Sequence, residues 1–159
     1  MKEYPGEELR FTADLMLKRL AKYLRALGYD TLFDEQLSDA EMRDISIAEN
    51  RILLTRDQDL FEQTSELHSL HVTSQHPLEQ FAEVAAQYPV SFYESRFMSR
   101  CLECNSMLVE MNPEDVQEDV PPRVYERQDQ FYKCMQCDQL FWHGDHVKRL
   151  RKKLLAVIE

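Results

Sequence analysis

Glycine occurs three times in this chain of 159 residues, and cysteine only four times. No apolar run approaches the roughly 18 residues that a membrane-spanning helix needs, so no membrane partner is expected. No low-complexity tract and no period of repeat length is present, which excludes arrays and solenoids. Cations are also short, with 19 Lys and Arg against 29 Asp and Glu and a formal net charge of −10. That balance argues against non-specific coating of nucleic acid, whose phosphates require Lys and Arg. It does not argue against a nuclease, because acid clusters that hold metal make such enzymes negative. No secretory signal precedes the charged start MKEYPGEELR, and reduced cysteines then point to the cytoplasm. The remaining composition is globular, 43% hydrophobic and 30% charged, with length for one ordinary domain and a small appendage.

The cysteines that are present form two pairs of equal spacing, Cys101-x-x-Cys104 and Cys134-x-x-Cys137. Each C-x-x-C turn sets two thiolates on one side of a tight loop, and two facing loops supply the tetrahedral sulfur cage that zinc prefers. With four protein thiolates no position stays open for water or substrate, so the expected ion is structural zinc. The 29 residues from 105 to 133 exceed the usual spacing of a zinc ribbon and imply an inserted loop. Two matched pairs do not suit a thioredoxin-like redox turn, which uses one. Iron remains the alternative ion, since a four-sulfur tetrahedron suits both metals.

A boundary is expected near Ser91 to Ser99, dividing residues 1–92 from a cysteine-bearing unit at 93–159. The first part reads as alternating strands and helices. Leu9 to Ala13, Thr31 to Phe33, Arg51 to Thr55 and Leu70 to Thr73 are short strand candidates. Leu17, Leu20, Ala21, Leu24 and Leu27 recur at helical spacing, with Gly28 where a helix C′ residue belongs. Ser38-Asp39-Ala40-Glu41 is a capping box, and Pro77 opens a further helix. The all-apolar run at Ile52-Leu53-Leu54 is of the kind buried in parallel sheets. The expected fold class is therefore an α/β sandwich around a mainly parallel sheet, followed by the cysteine unit and a helix over Asp145 to Ile158.

In such a sheet, chemistry gathers outside the carboxyl ends of the strands. Asp14 ends the first strand, Asp57 and Asp59 follow the strand ending at Thr55, and Asp39 opens the capping-box helix. Four carboxylates at one edge would repel one another, and Mg²⁺ or Mn²⁺ relieves that repulsion while keeping waters and substrate phosphates as further ligands. Each acid also has a plainer reading. Asp14, Asp57 and Asp59 can cap the helices that follow them, and Asp39 can be a first-turn acid favoured by the helix dipole. Asp34, bordering the second strand, is a reserve candidate.

The run Asp14-x-Met16-Leu17-x-Arg19-Leu20-Ala21-x-x-Leu24-Arg25-x-Leu27-Gly28-Tyr29-Asp30, followed by Arg51-Ile52-Leu53-Leu54-Thr55-Arg56-Asp57, resembles the Mut-seven C-terminal RNase family of PIN-like nucleases. The second half agrees, with Pro121-Pro122-Arg123-Val124-Tyr125-Glu126-Arg127 leading to Cys134-x-x-Cys137 and then Trp142-x-Gly144-x-His146. The resemblance covers Phe11 to Leu150. It implies a PIN-like three-layer fold with a zinc ribbon and a metal-dependent RNase activity, and its acidic pattern carries over onto Asp14, Asp39, Asp57 and Asp59. Asn105 and Asp138 stand where zinc knuckles commonly have glycine, a position both tolerate.

For RNA, Lys18, Lys22 and Arg25 share one face of the first helix with Arg19 beside it, and Arg56 adjoins Asp57, where a guanidinium can clamp a phosphate or pair with an acid. The last helix carries Lys148, Arg149, Arg151, Lys152 and Lys153, either as a polyanion contact or as a solvated face. His146 is either a phosphate ligand or a structural histidine. A ribonuclease is the leading function. A non-catalytic RNA-binding adaptor and a rubredoxin-like iron protein are the alternatives.

Overall fold

Four short runs form the central sheet: β1 (Arg10–Ala13), β2 (Asp30–Leu32), β3 (Ile52–Thr55) and β4 (Ser69–His71). The computed structural model describes residues 8–64 and 66–159. Across the sheet the order is β2-β1-β3-β4, and every pairing is parallel. Phe11 stands opposite Thr31 on one side and Ile52 on the other.

The two-residue period of a strand then sorts the side chains. Phe11, Ala13, Ile52 and Leu54 enter a large core with Leu20 and Leu24 of α1 (Lys18–Ala26) and Phe81 and Val84 of α4 (Pro77–Gln87). Leu53 points the other way, to Met42 of α2 (Asp39–Ala48) and Leu60 of α3 (Gln58–Glu62). Burial on both faces is why β3 is apolar where a one-sided strand would alternate. The outcome is the expected α/β arrangement, a four-stranded parallel sheet between helical layers.

Local signals act as the sequence suggests. Ser38 Oγ accepts the Glu41 amide at 3.1 Å and Glu41 reaches back to the Ser38 amide, the reciprocal capping box of α2. Between Asp14 and α1 the chain makes a 3₁₀ turn, Leu15–Leu17, before the α-helix begins. Gly28 ends that helix at φ +92°, and a Cβ there would lie 2.7 Å from the Arg96 carbonyl oxygen. Gly28→Ala should therefore lose about 1–3 kcal/mol from backbone strain alone, with the clash adding to it. Urea unfolding should show a lower midpoint at an unchanged slope, and an unmoved midpoint would contradict this packing.

The second half holds an antiparallel sheet, β5 (Leu108–Met111), β6 (Phe131–Cys134) and β7 (Leu140–Phe141), in the order β5-β6-β7. The long interval between the cysteine pairs is filled by structure. β5, α5 (Pro113–Val116), a 3₁₀ turn at Gln117–Asp119 and α6 (Pro122–Arg127) precede β6. Val116, Val120 and Phe131 give this insertion a small core of its own. The last helix, α7 (Asp145–Ile158), turns back to the large core, where Leu154 is fully buried beside Val147, Leu150 and Ile158. Val90, Phe97 and Met98 enter the same core, so the sheet and the cysteine unit share apolar packing. Among the described residues, no helix is long and apolar enough to cross a membrane.

Candidate active site and metal centre

Ligands of open parallel sheets bind outside the carboxyl ends of the strands, at the point where strand order reverses. Here β1 connects towards β2 on one side while β3 connects towards β4 on the other, so the reversal lies between β1 and β3. Asp14 directly follows β1, and Asp57 follows β3 by two residues. The Asp14 amide donates to the Leu54 carbonyl at 3.0 Å, which continues the strand pairing to this residue.

The Asp14 carboxylate is only 5% exposed. Its Oδ1 accepts the Met16 amide at 3.1 Å, and its Oδ2 accepts the Arg56 amide at 3.1 Å and the Thr55 hydroxyl. Thr55 Oγ1 in turn accepts the Asp57 amide at 2.9 Å. One hydroxyl thus ties the two acids to the same strand end. Asp57 is exposed and caps α3, its Oδ1 accepting the amides of Asp59 at 2.8 Å and Leu60 at 3.3 Å. Its Oδ2 has no hydrogen bond among the described residues. A carboxylate offers about four lone-pair sites, so capping leaves acceptor capacity at Asp57.

Asp39 is the first residue of α2, behind its cap Ser38, and Asp59 lies in the first turn of α3. Both are exposed. The helices follow β2 and β3, so both acids start from the same edge of the sheet. Among the described residues, the one group of three or more His, Cys, Asp or Glu side chains close enough to share an ion is the four cysteines. The structure therefore joins Asp14 with Asp57 through Thr55 and leaves Asp39 and Asp59 on the rim. Asp34 is exposed, and its Oδ1 accepts the Gln36 amide at 2.9 Å.

The candidate RNA contacts divide. Lys18 and Arg19 are exposed, and Lys18 lies 3.7 Å from Glu35. Lys22 pairs with Glu103 at 3.0 Å. Arg25 does not join an open basic face. It is 4% exposed, with Nε donating to the Thr31 carbonyl at 3.0 Å and Nη1 to the Leu102 carbonyl at 2.9 Å. Lys18, Lys22 and Arg25 do share one stripe, at i, i+4 and i+7, but the loop carrying Cys101 and Cys104 covers the carboxyl end of that stripe. Arg56 is half-buried and reaches the Thr73 carbonyl at 3.4 Å through Nη2, making no ion pair with an acid among the described residues.

The four cysteine Sγ atoms lie within 4.8 Å of one another, with Cys101 to Cys137 at 3.6 Å and Cys104 to Cys134 at 3.1 Å. Zn–S bonds of about 2.3 Å in a tetrahedron set sulfurs about 3.8 Å apart, so this cage can hold a zinc ion. The two loops repeat one geometry. Cys101 N donates to Ser106 O at 2.8 Å and Asn105 N to Cys101 O at 2.9 Å; Cys134 N donates to Gln139 O and Asp138 N to Cys134 O, both at 2.9 Å. Asn105 and Asp138 take the left-handed conformation at φ 73° and 62°. Burial pushes the Cys101 thiol up to about 12. The Cys104 thiol is held down to about 6 against its burial by the Ser106 amide and the Cys134 thiol. Uneven titration of this kind gives way to four thiolates when a divalent cation supplies the balancing charge.

A family model described as the Mut7-C RNAse domain matches residues 9–154. The chain belongs to the Mut7-C RNase family. No curated protein matches it. The Mut7-C match begins just before β1 and ends within α7, so it takes in the acidic edge and all four cysteines. An RNase family implies RNA as the substrate class.

Two Mut7-C side chains, Thr55 and Asn105, organise these sites through hydrogen bonds that the motifs do not reveal. Thr55, the polar end of an apolar strand, links the two acids as described. Asn105 does more than accept a left-handed turn. Its Oδ1 accepts the Thr31 amide at 3.0 Å and its Nδ2 donates to Asp30 Oδ1 at 2.7 Å. β2 is an edge strand, and a primary amide that both accepts and donates pairs with it as another strand would, which protects the edge. Asp30 also receives Arg51 Nη1 at 2.9 Å. Burial alone would raise its pKa, but the Arg51 and Asn105 bonds outweigh burial and hold it below the usual carboxylate range. Arg100 completes the junction, donating from Nε to Gly28 O and from Nη1 to Asn105 O, both at 3.0 Å.

Proposed function

We propose that this Mut7-C domain is a Mg²⁺- or Mn²⁺-dependent ribonuclease that hydrolyses RNA phosphodiester bonds at the crevice between β1 and β3, with structural zinc in the four-cysteine centre. The observation that carries this reading is the pair Asp14 and Asp57, joined through Thr55 at the reversal of strand order. Mg²⁺ commonly takes one or two carboxylates and fills its remaining positions with water and phosphate oxygens, a demand these two acids can meet. Such an ion, when bound, activates water and offsets charge on the leaving oxygen.

The protein's own contribution is positioning. The Thr55 hydroxyl and the Arg56 amide fix the Asp14 carboxylate, while the amides of α3 hold Asp57 Oδ1 and leave Oδ2 as an acceptor. Asp39 and Asp59 supply the rim with negative charge that water-bridged contacts can use. Lys18, Arg19, Lys22 and Arg56 are the cations assigned to the RNA backbone, and Arg25 drops out because it is committed to the ribbon loop. The closed sulfur cage leaves no position for substrate, which assigns zinc to structure and hydrolysis to the acids. Reduced thiols suit the cytoplasm.

A second reading has its own support, since both Asp14 and Asp57 act as helix caps and a binding module would keep them for that purpose alone. Incubating structured and unstructured RNAs with the full-length protein, with and without Mg²⁺ or Mn²⁺, separates the two. The nuclease cleaves only with the ion present. An ion that binds only the folded state adds about 2.7 kcal/mol at a hundredfold excess over its Kd, so the Tm should rise with Mn²⁺ concentration. No cleavage together with an unmoved Tm supports the binding module. A purified protein coloured by iron would favour the rubredoxin-like alternative.

A further inference from the structure

The ribonuclease reading leaves unused the cluster of cations on α7 and the Trp142-x-Gly144-x-His146 run that leads into it. In a chain of net charge −10, α7 carries five cations and a single acid, Asp145. One cation is committed to structure, because Arg151 pairs with Glu94 and lies over the Phe92 ring at 5.0 Å. Lys148, Lys152 and Lys153 are exposed and make no ion pair among the described residues. Arg149 is exposed beside them, its Nη2 3.1 Å from His146 Nδ1. Local charge, more than the net value, decides where a polyanion touches a protein.

Next to this basic face is a cleft of about 350 Å³ whose lining includes Phe141, Trp142, Gly144, Asp145, His146 and Arg149. Trp142 is half-buried and braced from behind by Phe131, ring centroids 6.5 Å apart at 63°. Gly144 keeps the approach to its indole open, since a Cβ there would stand 3.3 Å from Nε1. An aromatic wall with Arg149 at its rim and exposed lysines further along α7 matches one ligand chemistry, a flat base joined to phosphates. Stacking on such a wall contributes about 1–3 kcal/mol per base and tolerates any sequence, but it requires a base free of its duplex partner.

We propose that the Trp142 cleft and the adjoining face of α7 bind single-stranded RNA away from the acidic edge, one unpaired base stacking on Trp142 and the phosphates on either side contacting Lys148, Arg149, Lys152 and Lys153. The proposal takes RNA as the ligand from the ribonuclease reading, but it concerns binding and does not depend on cleavage.

Trp142 is the chain's single tryptophan, so indole fluorescence reports on the surroundings of this one residue. The experiment titrates full-length Asp57→Asn protein, without added divalent ion, with a single-stranded oligoribonucleotide of about 12 nucleotides. Indole fluorescence and the anisotropy of a labelled strand are followed together. Binding should quench Trp142 in parallel with the anisotropy rise. A Lys148→Glu, Lys152→Glu, Lys153→Glu variant alters only exposed positions, and its melting should match the parent. It should bind at least about tenfold more weakly, and its salt slope should fall by about 2, since each phosphate that a lysine neutralises contributes roughly 0.7 to that slope. RNA binding that leaves Trp142 fluorescence unchanged would overturn the proposal. So would equal affinity in the charge-reversed variant, equal quenching by blunt duplex RNA, or no binding at all. Absence of cleavage by the parent protein would count against the acidic edge and leave this titration unaffected.

Discussion

Asp57→Asn is expected to abolish RNA cleavage by the Mut7-C domain without weakening the fold. The two consequences separate because Asp57 has two oxygens in different roles. Oδ1 accepts the amides of Asp59 and Leu60 and so caps α3. Asparagine keeps a carbonyl oxygen for those bonds, and it is about as good an N-cap as aspartate. The structural change should therefore be within about 0.5 kcal/mol. What the substitution removes is the negative charge and the acceptor at Oδ2, the features a divalent ion needs. A loss of at least about a thousandfold in kcat is expected, corresponding to roughly 4 kcal/mol of barrier. The Tm increase with Mn²⁺ should vanish along with it. Cleavage at the parent's rate by a well-folded Asp57→Asn protein would end the assignment of this acid to the reaction and leave it a cap.

If the four cysteines hold zinc as proposed, removing it should perturb stability strongly. The unit from residue 100 to 141 has a small core, with Val116, Val120 and Phe131 as its buried members. Structural zinc sites contribute about 10–16 kcal/mol in isolated finger peptides, against a whole-domain stability of about 5–15 kcal/mol. The damage should also spread. The first cysteine loop holds Arg25 through Leu102, pairs with β2 through Asn105 and anchors Gly28 through Arg100. Stripping the metal, or replacing Cys134 with serine, should therefore expose amides of β5 and β6 fully to hydrogen exchange. Those of β2 should gain partial exchange, while β1 and β3 stay protected. Elemental analysis of protein purified without added zinc should find one ion per chain. A metal-free preparation with the same exchange pattern and Tm would refute a structural role.

Much of this molecule could be read from local pattern, because local pattern reports local physics. The period-two and 3.6-residue signals place β1, α4 and α7, and a continuous apolar run places β3, to within a residue or two, and the α2 capping box is a purely sequential contact. The paired C-x-x-C spacing determined the sulfur cage outright, since each turn orients its own thiolates. Asn105 and Asp138 were readable as left-handed residues for the same reason. The acids after β1 and β3 were readable as residues on one edge, because a parallel sheet brings all carboxyl ends to the same side.

Tertiary structure decided what depends on which surfaces meet. Arg25 sits on the same helical stripe as Lys18, and only the docking of the cysteine loop separates a buried anchor from an exposed cation. The side-chain role of Asn105 exists because β2 is an edge strand, and strand order is not written in the spacing of strands. The same order decided that Asp14 and Asp57 become neighbours through Thr55 while Asp39 and Asp59 remain at the rim. Hydrogen bonds between residues forty positions apart arise from topology, so the sequence alone determined the chemical inventory and the periodic elements, and the fold decided which of those groups share a site.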